Sequence, residues 1–249
     1  MHRCFLPPGQ TRGERLVLPE AEAHHALNVL RLKTGDRVVV LNGAGEELLC
    51  ELVTASKRSA ELAVRQRNRI APLPYAITLV QAVTKGKTMD LIVQKATELG
   101  ASRVVPILSD RSVPQMDDEG AGEKAEKWTQ VSIEAIKQCG AAWLPKIEAP
   151  VKTQAYLSRA DRFDLALIAT LQSDARHPRA CFETFREERG AAPRTVAVWV
   201  GPEGDFTPAE INQIRGAGVL PITLGPVVLR SETAAMYCLS VLGYELQKR

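Results

Sequence analysis

The chain has 249 residues, 45% of them hydrophobic, and a formal charge of +3. That is enough apolar material for one large core or two moderate ones, and too small an excess of charge to argue for nucleic-acid binding by itself. No run of 18 apolar residues occurs, which excludes an obvious membrane-spanning helix, and the first eight residues lack the apolar stretch of a signal peptide, so a cytoplasmic protein with no membrane partner is expected.

In chain order, a helix over residues 20–32 is followed by strand-like runs at 37–41, 47–53 and 60–64, the last extendable to Arg69. Short strands with one helix predict a small β-barrel. Residues 1–74 hold 11 Lys+Arg against 8 Asp+Glu, so the whole basic excess lies here. Lys57 and Arg58, then Arg65, Arg67 and Arg69, lie close together, and the last three share a face if the strand alternates strictly. From charge alone a solvated strand face is the plainer reading of this stripe.

The prolines of Ile70-Ala71-Pro72-Leu73-Pro74-Tyr75 mark a boundary, giving domains 1–72 and 73–249. Beyond it, strands at 77–83, 103–108, 164–169, 195–200 and 220–224 alternate with helices at 89–99, 123–138, 179–189, 208–215 and 232–247. This rhythm predicts an α/β domain with a parallel sheet covered by helices. Residues 115–122 read as a surface loop.

The strongest local signal is Val200-Gly201-Pro202-Glu203-Gly204-Asp205-Phe206, a glycine turn between a doubly buried strand and a helix with Thr207 as N-cap, Pro208 at the first position and Glu210 completing a capping box. Open α/β sheets bind ligands at such strand ends, because glycine lets the backbone approach the bound molecule. A second turn, Leu224-Gly225-Pro226, precedes a closing helix for which Ser231 is a candidate N-cap, and the two turns predict one shared pocket.

Other groups have plainer explanations. Thr84-Lys85-Gly86-Lys87-Thr88 imitates the end of a phosphate-binding loop, but Gln81 stands where the first glycine is required. Adjacent His24 and His25 diverge by about 100° on a helix and cannot act as an i, i+4 metal pair, so no metal site is expected. Cys4, Cys50, Cys139, Cys181 and Cys238 are scattered, without a Cys-x-x-Cys pair, and read as reduced structural thiols. Asp90, Gln94 and Glu98 line one helix face, as solvated faces commonly do.

Several blocks together resemble the RsmE-type ribosomal RNA uridine N3-methyltransferases of the SPOUT class. They are His24-His25-Ala26-Leu27-Asn28-Val29-Leu30-Arg31, Gln94-Lys95-Ala96-Thr97-Glu98-Leu99-Gly100, Gly201-Pro202-Glu203-Gly204 and Leu229-Arg230-Ser231-Glu232-Thr233-Ala234. The resemblance implies an amino-terminal PUA-like RNA-binding β-barrel and a SPOUT α/β domain with a trefoil knot. It implies S-adenosylmethionine as cofactor, held by Thr170, Leu171, Val200, Gly201, Pro202, Glu203, Gly204, Leu224, Gly225, Leu229 and Thr233. Arg230 is implied as an electrostatic catalytic residue, and Glu232 either as a base or as an orienting carboxylate. RNA contacts are implied at Arg3, His25, Arg31, Arg65, Arg67 and Lys87, with 16S ribosomal RNA or the small ribosomal subunit as partner and a homodimer as the assembly. Three positions depart from the family pattern: Asp205 replaces a glycine, Ala141 an arginine for which Lys137 could substitute, and Val227 a basic residue. Asp205 and Ala141 keep open the alternative of a catalytically inactive RNA-binding module.

Overall fold

The computed structural model describes residues 1–56, 59–111 and 118–247; Lys57, Arg58 and residues 115–117 of the expected loop lie outside them. Two compact units emerge, Met1–Pro72 with Ile133–Leu144, and Leu73–Ser132 with Pro145–Arg249.

The first unit is built on five strands, β1 (His2–Phe5), β2 (Arg15–Leu18), β3 (Arg37–Leu41), β4 (Glu46–Ala55) and β5 (Ala60–Arg69), in the order β1-β3-β4-β5-β2. Alternating residues, Leu48, Cys50 and Leu52 of β4 with Leu62 of β5 and Val38 and Val40 of β3, fill its core. A short helix α1 (Glu20–His24) runs into a π-helical turn, His25–Val29, in place of one continuous helix to residue 32. β1 and β2 are four-residue strands too short to stand out by alternation.

The second unit carries a parallel sheet of β6 (Ala76–Ala82), β7 (Arg103–Leu108), β8 (Lys146–Ile147), β9 (Val151–Lys152), β10 (Leu165–Ala169), β11 (Thr195–Val200) and β12 (Leu220–Ile222). The order is β12-β10-β11-β6-β7-β8, with β9 also pairing β7. Helices α2 (Thr88–Glu98), α3 (Asp118–Cys139), α5 (Pro178–Arg189) and α7 (Ser231–Leu246) bring apolar residues to one core, and α4 (Thr153–Leu157) and α6 (Pro208–Gly216) to another. Neighbouring Leu79 and Val80 enter different cores, which is why the central strands read as continuous apolar runs.

α3 begins at Asp118, so residues 118–122 are helix rather than the expected loop. Nor is the Asp90 face simply solvated: Asp90 accepts from Lys127 Nζ at 2.7 Å and from Trp128 Nε1 at 3.1 Å, which fastens α2 to α3. All five cysteines are free thiols, and burial pushes Cys4, beside Glu22, and Cys238 up to about 12, far from thiolate reactivity.

Candidate active site

At the C-terminal ends of β10, β11 and β12 three loops enclose an open cleft of about 280 Å³. Its lining comprises Ala169 to Gln172 after β10, Val200 to Glu203 with Asp205 after β11, and Thr223 to Leu229 after β12, closed by Ser231 and Ala234 of α7. β10 pairs in parallel with both β11 and β12, so the loops leave the sheet side by side. The topology brings together turns that are distant in sequence.

Local chemistry shapes each loop. A Cβ at Gly201 would lie 3.0 Å from Asp205 Oδ1 and 3.3 Å from the Phe206 nitrogen, so a side chain there would press on the turn. Gly225 has φ +115, outside the range of other residues. Thr207 and Glu210 form the expected capping box at the start of α6. The second oxygen of Glu210 accepts from Thr153 Oγ1 at 2.9 Å and from the Asp110 nitrogen at 3.1 Å, so this buried carboxylate ties α6 to neighbouring segments.

Of the residues assigned to the cofactor, Thr170, Leu171, Val200, Gly201, Pro202, Glu203, Leu224, Gly225 and Leu229 line the cleft. Gly204 and Thr233 do not: the Gly204 carbonyl accepts from Arg111, and Thr233 is exposed on α7. Ser231 is the first helical residue, not the N-cap; that position is Arg230. The Ser231 hydroxyl donates instead to the Gly201 carbonyl at 2.7 Å. Arg230 is exposed and Glu232 half-buried, on either side of Ser231, and Arg230 has no ion pair among the described residues.

The cleft suits S-adenosylmethionine. Leu171, Val227 and Val228 are 65%, 63% and 73% exposed, an unusual density of solvent-facing aliphatic surface around the hollow. Such a surface accepts an adenine ring, and the turn carbonyls and amides accept polar groups.

The amino-terminal cations behave differently. Arg3 donates to the carbonyls of Lys137 and Gln138, satisfying the C-terminal end of α3. Arg67 donates to the Thr11 and Gly13 carbonyls at 2.7 and 2.6 Å. Arg65, Arg67 and Arg69 do not share a face. The register shift at Leu49/Cys50 inserts Arg65 as an extra residue; Arg67 and Arg69 then oppose Leu48 and Glu46, whereas Arg65 bonds Glu51 of the other face at 3.1 Å. Lys137 does not supply a substitute for the arginine missing at Ala141. It is 8% exposed and bonds Glu22 and Glu134 at 2.8 and 2.9 Å; burial disfavours its charge, but the two carboxylates outweigh this and raise its pKa. His25 is half-buried, while Arg31 and Lys87 are exposed.

Asp205 adopts φ 59, a conformation natural for glycine and tolerated by aspartate, and its carboxylate accepts from the Phe206 nitrogen at 2.7 Å. The Asp205 carboxylate is thus bound to the turn itself. Sequence reasoning missed the bonds that Arg111 and Asp205 make to the turn and the bond of Gln81 to Ser231; a lone glutamine in an apolar strand was the available signal for the last. No group of residues that could hold a metal ion occurs among the described residues.

A family model described as the RNA methyltransferase domain matches residues 71–243, and one described as the RNA methyltransferase PUA domain matches residues 18–65. The chain is 32% identical over 227 residues to ribosomal RNA small subunit methyltransferase E of Bacillus subtilis, covering 91% of this chain and 88% of that protein. It is 31% identical to the Aquifex aeolicus protein of the same name, covering 94% and 96%. Among solved structures, a Legionella pneumophila protein with bound cofactor SAM superposes with TM-score 0.87 at 30% identity, covering 97% and 96%. The ribosomal RNA small subunit methyltransferase E of Neisseria gonorrhoeae, bound to S-adenosylmethionine, gives 0.82 at 27%, covering 98% and 97%. A PUA domain followed by a methyltransferase domain with a parallel sheet, matched along nearly its whole length, places the chain in the RNA methyltransferase family that includes ribosomal RNA small subunit methyltransferase E.

Proposed function

We propose that the protein uses S-adenosylmethionine to methylate N3 of a uridine in 16S ribosomal RNA within the small ribosomal subunit. The observation that carries this reading is the cleft of three loops, two of them glycine-bearing, with an unpaired arginine at its edge. Bound there, S-adenosylmethionine supplies a methyl group on a cationic sulfur, so neither a protein nucleophile nor a metal is needed. The loops 169–172, 200–205 and 223–229 hold it. The guanidinium of Arg230 donates to a uracil carbonyl oxygen and stabilises the charge that develops as N3 loses its proton. Glu232 is assigned as the acceptor of that proton. Exposed Lys87 and Arg31 are assigned to RNA phosphate.

The reading includes a PUA-like domain over residues 1–72, a SPOUT domain over 73–249 with its carboxy-terminal segment threaded as a trefoil knot, a cytoplasmic location and a homodimer. Tyr237, Ser240, Val241 and Tyr244 of α7 follow i, i+3, i+4, i+7 spacing along an accessible groove, a pattern that suits a second helix. Light scattering measures the assembly. The functional test incubates the protein with methyl-labelled S-adenosylmethionine and unmodified small subunits or naked ribosomal RNA, then identifies the labelled nucleoside. N3-methyluridine is expected from the subunit. Binding of RNA and cofactor without label would instead make the chain an inactive RNA-binding module.

A further inference from the structure

β6 is apolar except at Thr78 and Gln81, and Gln81 lies fully buried near its C-terminal end, in register with Val200 of β11. Its side-chain nitrogen donates to the Ala82 carbonyl and to Ser231 Oγ, both at 2.9 Å. Ser231 Oγ donates onward to the Gly201 carbonyl at 2.7 Å. Gln81 Oε1 is buried and has no hydrogen-bond partner among the described residues.

An unsatisfied buried acceptor is destabilising, and an aliphatic side chain between Val80 and Ala82 would avoid it. What offsets it is the direction that Gln81 imposes. The Ala82 carbonyl fixes the amide with nitrogen toward it, since oxygen there would meet another acceptor. An NH2 group only donates, so Ser231 must accept from it and is left with its own proton for Gly201.

We propose that Gln81 is a positioning residue for methyl transfer: through Ser231 it locks the Gly201 turn to the first turn of α7, and so sets Arg230 and Glu232 against the cofactor cleft. Ser231 joins these parts directly, being adjacent in sequence to both Arg230 and Glu232 and in hydrogen-bond contact with Gly201. The inference rests on the methyltransferase reading above. Cofactor contacts are spread over three loops, so losing one internal bond weakens binding little, whereas a small misalignment of reacting groups lowers the rate steeply.

The test uses Gln81→Met, Ser231→Ala and the double variant, with two readouts. In the cofactor-free protein, amide hydrogen exchange should quicken together in residues 201–205 and 231–235 in each single variant, and no further in the double. In single-turnover methyl transfer at saturating S-adenosylmethionine, each single variant should lose about tenfold in rate, and the double no more than the worse single, while cofactor affinity stays within about threefold. Faster exchange confined to one segment, additive losses in the double, or weakened cofactor binding with an intact saturated rate would each overturn the proposal. Ser231→Ala removes a single oxygen and decides alone if Gln81→Met does not fold. If the unaltered protein methylates no RNA, the functional reading fails, and the exchange measurements still decide whether the relay exists.

Discussion

Arg230 at the edge of the three-loop cleft and Arg67 of the first unit are both arginines, and the structure uses them in opposite ways. Arg67 has its donors on the Thr11 and Gly13 carbonyls. Arg230 precedes α7 in an extended conformation, is exposed and has no ion pair among the described residues. A cation already bonded to its own backbone would break those bonds to meet a ligand, and only an unengaged one offers its donors at no such cost. Basic residues in the sequence therefore divide into structural and available sets by their partners, a distinction that charge counting does not see.

The largest expected effect tests the available set. Arg230→Ala should lower single-turnover methyl transfer by about 10²–10³, the usual loss for a donor aimed at developing negative charge. Its melting temperature should stay unchanged, because no internal bond is lost. A fall in melting temperature with the rate intact would move Arg230 into the structural set.

The structural set has its extreme case in the second unit. Glu148, side chain 8% exposed, bonds Arg103 at 2.8 Å, Arg159 at 2.7 Å and Lys146 at 3.2 Å. Burial alone would raise its pKa, but the three cations outweigh burial and bring it to about 2 from 4.5. With the folded value below the unfolded one, the ionised carboxylate's contribution is complete above about pH 4.5 and is lost as the pH falls through about 2. It amounts to about 3 kcal/mol at neutral pH. Urea denaturation should show Glu148→Gln destabilised by that order at pH 7, with the gap to the unaltered protein narrowing below pH 4. A gap constant down to pH 2 would mean that the charge is not what stabilises.

Next comes a paired comparison of barrel and methyltransferase cations. Arg67→Ala should cost about 1–3 kcal/mol of stability through two unpaired carbonyls, and leave the salt dependence of RNA binding unchanged once the folded fraction is matched. Lys87→Ala should do the reverse, with stability unaltered and the slope of log affinity against log salt reduced by about 0.7–0.9. Binding isotherms at four salt concentrations separate the two. Equal slopes for both variants would erase the distinction.

How much of this was legible depends on whether the signal is local. Strands β6, β7, β10 and β11 are apolar on both faces and stood out, as did the glycine turns and the Thr207 cap, each written in a few consecutive residues. The cleft followed, because parallel strands put all such turns at one end. Arg65 was misplaced because a bulge reverses the facing of every later residue and leaves no mark in composition. Ile133–Leu144 belongs to the first unit although α3 starts in the second, since helical periodicity ignores which core a turn meets. Gln81 and Ser231, 150 positions apart, could be joined only by tertiary structure.

The smallest effect is expected at one of the departures from the family pattern. Asp205 has a φ of 59, where glycine would be the natural occupant, and it lines the cleft. The left-handed conformation costs a non-glycine residue roughly 1–2 kcal/mol, less for aspartate, whose side chain bonds locally. Here the 2.7 Å bond to the Phe206 nitrogen supplies that compensation. Asp205→Gly relieves the strain and loses the bond together, and it also loosens the unfolded chain, so the terms nearly cancel. Calorimetry should find stability within about 1 kcal/mol and S-adenosylmethionine affinity within about threefold of the unaltered protein. A tenfold or greater gain in affinity would show that the carboxylate swings into the cleft when the cofactor arrives. Asp205 would then join Arg230 among the available charges, with the opposite sign.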